Sequence, residues 1–199
     1  MSIEGFAKYK TLTIKHANVD ADLTDFPVYV EADDDADLKV CRDDGFDIRF
    51  TNSDGSTVLK YTRDHWDGGD GDNVTAGWFV KVPLVSTDSN TVLRIYYSKS
   101  DATDGQAEAD TWNSAFKFRS GMSDKTTSTI NDSTSATDGD KKGANEPIEA
   151  TGKIGKAQHF DGTDDDIALK ASSAFIPSAD DPFTMSAWVK ADTIAAGNY

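Results

Sequence analysis

The chain has 199 residues, enough for one large or two small domains with a real core, and 37% of them are hydrophobic, which excludes disorder as a whole. A formal charge of −15 with no run of Lys or Arg leaves no electrostatic footprint for nucleic acid or an anionic membrane, and no stretch approaches the ~20 apolar residues of a membrane span. The lone Cys41 cannot close an internal disulfide, and no paired Cys/His spacing exists for zinc.

The opening "MSIEGFAKYK" lacks the pattern of a signal peptide, so synthesis in a cytoplasm is expected. Most of the acid is Asp, which sits in turns through bonds to its own backbone, so the acid content itself predicts many turns. Up to about residue 100, short alternating segments of β-branched and aromatic residues are separated by Asp/Gly/Asn/Ser clusters, as in an all-β sandwich. In "KTLTIK" Leu12 and Ile14 share a face, and in "FPVYVEA" Val28 and Val30 do. In "FDIRFTN" Phe46, Ile48 and Phe50 are expected inward, with Asp47 and Arg49 toward solvent. Asp54-Gly55 then supplies the turn chemistry of a tight hairpin into "TVLKYTRDHW", and "GWFVKVPL" and "TVLRIYYSK" are two further strands.

The polar stretch "DATDGQAEADT" marks a domain boundary, giving units at 1–104 and 105–199. Residues 123–147 are too poor in apolar side chains to order tightly and read as a long surface loop with short extended pieces. Strand signals return in "GKAQHF", "DIALK" and "FTMSAWVKA", where Phe183, Met185, Ala187 and Val189 alternate with Thr184, Ser186, Trp188 and Lys190. Helix is scarce: one short turn is expected near "DDADLKV" and another near "ADTWNSAF".

The order Asp44-Gly45, Asp47 to Thr51, Asp54-Gly55, "WFVKVP" and "LRIYYSKSDA" resembles a family of bacterial and phage β-sandwich domains catalogued as a domain of unknown function, over about the first hundred residues. "GKIGKAQHFDGTDDDIAL" followed by "DPFTMSAWVKADT" resembles the opening strands of laminin-G-like, concanavalin-A-like jelly rolls. The resemblances imply an all-β chain: a β-sandwich followed by an incomplete jelly roll, since about eight strands are needed and few residues follow Trp188. A half-built sandwich exposes apolar faces and strand edges, so a longer polypeptide or another subunit is expected to complete it.

Asp161, Asp164 and Asp165 offer hard oxygen ligands on one loop, as calcium requires, and some laminin-G-like relatives bind calcium near such loops. The same residues read as a turn at Asp161-Gly162 followed by solvated acids; the spacing matches no fixed ligand loop, so the turn is the expected role and calcium the alternative. Asp67, Asp70 and Asp72 pose the same choice between an ion loop and a hairpin tip. Asp33, Asp35 and Asp37 are spaced like the first ligands of an EF-hand, but Leu38 stands where glycine is required and no Glu closes the loop. His16, His65 and His159 sit in separate contexts without a nucleophile motif, so no catalytic residue is assigned. Cys41, beside Arg42, is expected to be a small buried residue rather than an activated thiol.

The expected role is therefore a non-enzymatic structural or adhesion module: a phage virion protein such as a fibre, spike or capsid decoration. Such a protein is released by lysis and needs no export signal. Its partners would be other virion subunits or itself in a homo-oligomer, together with cell-surface glycans. The alternatives are a carbohydrate-binding module of a secreted bacterial protein, or the accessory region of a glycoside-active enzyme whose catalytic part lies beyond Tyr199.

Overall fold

The computed structural model describes residues 3–124, 128–134, 137–143, 146–169 and 182–192. Six strands build its larger part: β1 Lys8–Ile14, β2 Leu23–Asp35, β3 Arg49–Asn52, β4 Tyr61–Gly69, β5 Asp72–Val85 and β6 Thr91–Tyr97. They form two antiparallel sheets, ordered β1-β6-β3 and β2-β5-β4, which face each other as a sandwich. Period-2 patterning decides which side chains meet. Phe50, Leu93, Ile95 and Tyr97 point inward from the first sheet, and Tyr61, Val74, Ala76, Trp78, Val80 and Val82 from the second. The Phe50 ring packs edge-on against both Tyr61 and Trp78 across the gap, with centroids 5.3 and 5.6 Å away. Each fully buried aliphatic or Phe side chain of this cluster contributes roughly 1.5–3 kcal/mol. Leu12, Ile14, Val28 and Val30 pack against the cluster from the edge strands, as their alternation predicts.

The stretch around Phe46 departs from its predicted alternation. The strand begins only at Arg49, and Asp47, expected in solvent, is 1% exposed. Its carboxylate accepts hydrogen bonds from the backbone N–H groups of Arg42, Ser98 and Lys99 at 3.1, 3.1 and 3.4 Å, which tie two loops together. Phe46 is half-buried between the guanidinium groups of Arg42 and Arg63. Arg49 folds back onto the carbonyls of Phe46, Ile48 and Thr103. Buried backbone donors that need an acceptor outweigh the strand period here.

The Asp54-Gly55 turn forms, with Gly55 at φ +73°, a conformation open to glycine because it has no Cβ. The chain then bridges Thr51 to Val58 and crosses into the other sheet as β4, instead of continuing the hairpin. The Asp54 carboxylate accepts from the N–H groups of Ser56 and Thr57 and from the Thr57 hydroxyl, at 2.8, 3.0 and 2.8 Å. These bonds hold its pKa down to about 2. A folded value below the unfolded one, ~3.9, means that the turn's stabilisation is present above that pH and is lost as pH falls through the folded value. An NMR titration of the Ser56 and Thr57 amides is expected to show a midpoint at about 2; a midpoint at the ordinary carboxylate value would contradict this account.

The tip between β4 and β5 is a hairpin turn, with Asp70 and Gly71 both at positive φ. Its N–H groups bond to the carbonyls of Cys41 and Lys39, so Asp70 serves as a turn residue docked on the neighbouring loop. Asp35 and Asp37 converge on the Lys10 ammonium. Short helical turns stand at Leu38–Val40 and at α1, Glu108–Thr111.

Beyond α1 the strands are short. β7 Thr129–Ile130, β8 Gly139–Lys141 and β11 Ile167–Leu169 form a sheet in the order β11-β8-β7, and β9 Ile148–Thr151 pairs with β10 Lys156–His159. The described part of 123–147 is less solvated than its composition suggests, because Ile130, Asp132, Ser133 and Lys141 are buried. Asp132 supplies the order: it accepts from the N–H groups of Arg119, Thr134 and Thr137 and from the Thr134 hydroxyl. Those bonds hold its carboxyl below the ordinary range even though burial acts in the opposite direction. The strand expected at "FTMSAWVKA" does not form: residues 182–190 carry no strand, and Phe183, Met185, Trp188 and Val189 are all exposed. Alternation produces a strand only where a neighbouring backbone completes the ladder, and among the described residues none pairs with this segment. Of the segments read above, Met1, Ser2, Lys170, Asp181, residues 193–199 and parts of 123–147 lie outside the described residues.

Candidate functional site

A β-bulge creates a buried cluster of ionisable side chains. Arg63 pairs with Trp78 and His65 with Gly77, which leaves Asp64 as an extra residue in β4. Its insertion turns both Asp64 and His65 onto the outer face of the β2-β5-β4 sheet, where Tyr29 and Phe79 also stand. Residues 105–122 fold over that face. The Ala107 N–H bonds to the Tyr61 carbonyl, and the Gln106 side chain accepts from the Arg63 N–H. Trp112 stacks on Phe79 and Phe116 on Trp112, both with centroids 5.1 Å apart.

Arg119 closes the cover. Its guanidinium lies 4.6 Å over the Phe79 ring and 5.4 Å over Trp112, and it forms an ion pair with Asp64. The Asp64 side chain is 4% exposed and that of Arg119 17%. His65 Nδ1 is 3.6 Å from the other Asp64 oxygen, beyond hydrogen-bond range. Tyr29 Oη, His65 Nδ1 and Trp112 Nε1 are buried without a hydrogen-bond partner. Burial first, and then the Asp64 and Glu31 charges, push the Tyr29 hydroxyl up to about 12, so it stays protonated. Gly77 makes room for this arrangement: a Cβ there would overlap Tyr29 Oη and come within 2.8 Å of His65 Cε1. Chemically, the cluster is a buried charge pair capped by aromatic rings, a clamp that holds 105–122 on the sandwich.

The loop singled out in the sequence is arranged differently. Asp161 makes a turn, accepting the Thr163 N–H at 2.7 Å, while its own N–H donates to Asp165 at 2.8 Å. Asp164 pairs with the Lys142 ammonium, and that hydrogen bond raises the lysine's pKa. Carboxylate oxygens of Asp164 and Asp165 come within 4.8 Å of one from Glu146, with Asp161 outside the group. A divalent cation there would draw on Glu146 in place of Asp161 and would compete with the Lys142 ammonium.

The three histidines stand apart. His16 Nδ1 contacts the Thr87 carbonyl at 3.0 Å, His159 Nε2 is 3.1 Å from Asp192, and His65 belongs to the clamp. Among the described residues no hydroxyl or thiol hydrogen-bonds to any of them. Cys41 is buried, and that burial, followed by the Asp47 charge, pushes its thiol up to about 12.

Residues 44–137 match the family described as Domain of unknown function (DUF2341). The matched stretch is just under half of the chain, and it starts and ends later than the first hundred residues on which the sequence resemblance rested. It contains Asp64, His65, Phe79, Trp112 and Arg119, so β4, β5 and the segment that covers them lie within one match, whereas the third strand of that sheet, β2 with Tyr29, and the 161–165 loop lie outside. No curated protein matches the chain, and no solved structure does.

Sequence reasoning missed the clamp. One signal was present: Tyr61 and Trp66 both turn to the core although they are five residues apart, an odd separation that a regular strand cannot place on one face.

Proposed function

We propose that the chain is a non-enzymatic structural and adhesion module, of the kind used in phage fibres, spikes or capsid decorations, and that it assembles with other virion subunits or with itself. In this reading units 1–104 and 105–199 act in series, and the second is the beginning of a laminin-G-like jelly roll. The supporting observation is the group of large apolar side chains Phe183, Met185, Trp188 and Val189, which is exposed on a segment that pairs with no strand among the described residues. Large side chains left uncovered together mark an assembly contact. The carboxylates that would otherwise suggest catalysis are committed to turns, loop ties and ion pairs.

The test is mass by light scattering together with mass spectrometry of native particles. Wild type is expected to form a defined oligomer and to be found in virions. Met185→Lys combined with Val189→Lys is expected to give monomer with an unchanged melting curve, because both side chains are more than four-fifths exposed. A monomeric wild type absent from particles would overturn the reading. Glycan binding is the second reading, favoured by Trp188 at 75% exposure. It predicts saturable binding on a glycan array that is lost in Trp188→Ala.

A further inference from the structure

The sandwich has two outer faces. One is covered by 105–122, and the other, on β1-β6-β3, carries a cross-strand pattern of rings, hydroxyls and guanidinium groups. With Leu12, Phe50, Leu93 and Ile95 turned inward, alternation places Tyr9, Thr11, Thr13, Arg49, Thr51, Arg94 and Tyr96 on the other face. Tyr96 and Thr51 are buried there, Tyr96 under the Phe6 and Tyr9 rings, so the open part of the face is the β1 side with Tyr9, Thr11, Thr13 and the half-exposed Arg94. Register sets Tyr9 and Arg49 on either side of Tyr96, and Thr11 beside Arg94. The Tyr9 and Tyr96 rings are 5.3 Å apart, and the Arg94 guanidinium lies 5.0 Å over Tyr9. Tyr9 is 52% exposed, and Thr11 and Thr13 are exposed beside it, roughly 7 Å apart along the strand. Arg49 is occupied by three carbonyls and Lys99 by the Glu4 carbonyl. Arg94 has a single hydrogen bond among the described residues, 3.4 Å to Tyr96 Oη.

We propose that this face binds an oligosaccharide bearing carboxylates, a uronate-type glycan, with Arg94 gripping a carboxylate, Tyr9 supporting a sugar ring, and Thr11 and Thr13 meeting hydroxyls. The proposal rests on the glycan-binding reading and moves it to a surface distinct from Trp188. Charge complementarity selects the anion: an arginine stacked on a ring keeps its planar fork oriented for two parallel bonds to a carboxylate. The outward strand positions carry no acid, although the chain holds 35. The carboxylate that acts on Arg94 is Asp54, in the turn after β3, and it is held by the Ser56 and Thr57 N–H groups and the Thr57 hydroxyl instead of by a hydrogen bond to Arg94. Carboxylates farther away are screened at physiological salt, where the Debye length is about 8 Å. An acidic peptide fits this face less well, since extended peptides bind by main-chain pairing and a sheet face has its backbone groups already used in the ladder.

The experiment is calorimetric titration of the whole chain with tetragalacturonate, with neutral galactotetraose and tetra-aspartate as comparators. Saturable binding of tetragalacturonate is expected, weakened tenfold or more in Arg94→Ala and in Tyr9→Ala, weakened further by salt, and unchanged in Trp188→Ala. Arg94→Gln, which keeps most of the side-chain stem, should show the same loss, and circular dichroism checks that each variant folds. Absence of binding by folded wild type, unchanged affinity in both Arg94 variants, or equal binding of tetra-aspartate would overturn the proposal. Binding that depends on Trp188 and not on Arg94 would sink this surface while sparing the glycan reading itself.

Discussion

Replacing Arg119 by Met is expected to destabilise the protein by about 3–5 kcal/mol, the usual cost of removing one member of a buried ion pair and leaving the other charge unpaired. Asp64 has nowhere to go: its side chain is 4% exposed, and a Cβ at Gly155 would stand 2.9 Å from its second oxygen. The same change removes the cation from the Phe79 and Trp112 rings, each such contact being worth roughly 0.5–2 kcal/mol. Urea unfolding followed by tryptophan fluorescence checks the size. Asp64→Leu combined with Arg119→Met distinguishes a charge effect from a packing effect: the double variant is expected to be more stable than Arg119→Met alone, because no carboxylate remains to be desolvated. A loss below 1 kcal/mol in Arg119→Met would mean that the cover over the sheet is held by something else.

Trp78→Ala is expected to cost about 3–5 kcal/mol, the range for deleting a fully buried large aromatic. Trp78 is fully buried and touches the rings of both Phe50 and Trp66, so its removal opens a space between the two sheets rather than at a rim. A midpoint shift in urea without a change in slope would show lost packing with the same surface exposed on unfolding. A variant as stable as wild type would mean that the sheets do not share the core described above.

The strands of the N-terminal half could be read directly. "KTLTIK", "GWFVKVPL" and "TVLRIYYSK" have the period of a half-buried sheet, and a sandwich supplies the second face that this period requires. "FTMSAWVKA" has the same period and no partner among the described residues, so the pattern alone did not make a strand. Asp47 looked like a solvent residue because alternation assigned it outward, yet three backbone N–H groups from distant loops needed its carboxylate. Of the acid loop, the sequence could show that Asp161-Gly162 turns and that Asp164 and Asp165 lie close together. Glu146 and Lys142 join them only through folding of the segments between.

Composition and short-range pattern determined the all-β class, the turns at Asp54-Gly55 and Asp161-Gly162 and the burial of Cys41, because these depend on φ/ψ preference and on water avoidance at single positions. Tertiary structure alone decided the clamp of Asp64, His65, Arg119 and Tyr29 and the Arg94–Tyr9 face. Both depend on which strand lies beside which and on where a bulge shifts the register, and those are settled by pairing between residues tens of positions apart, which no local pattern encodes.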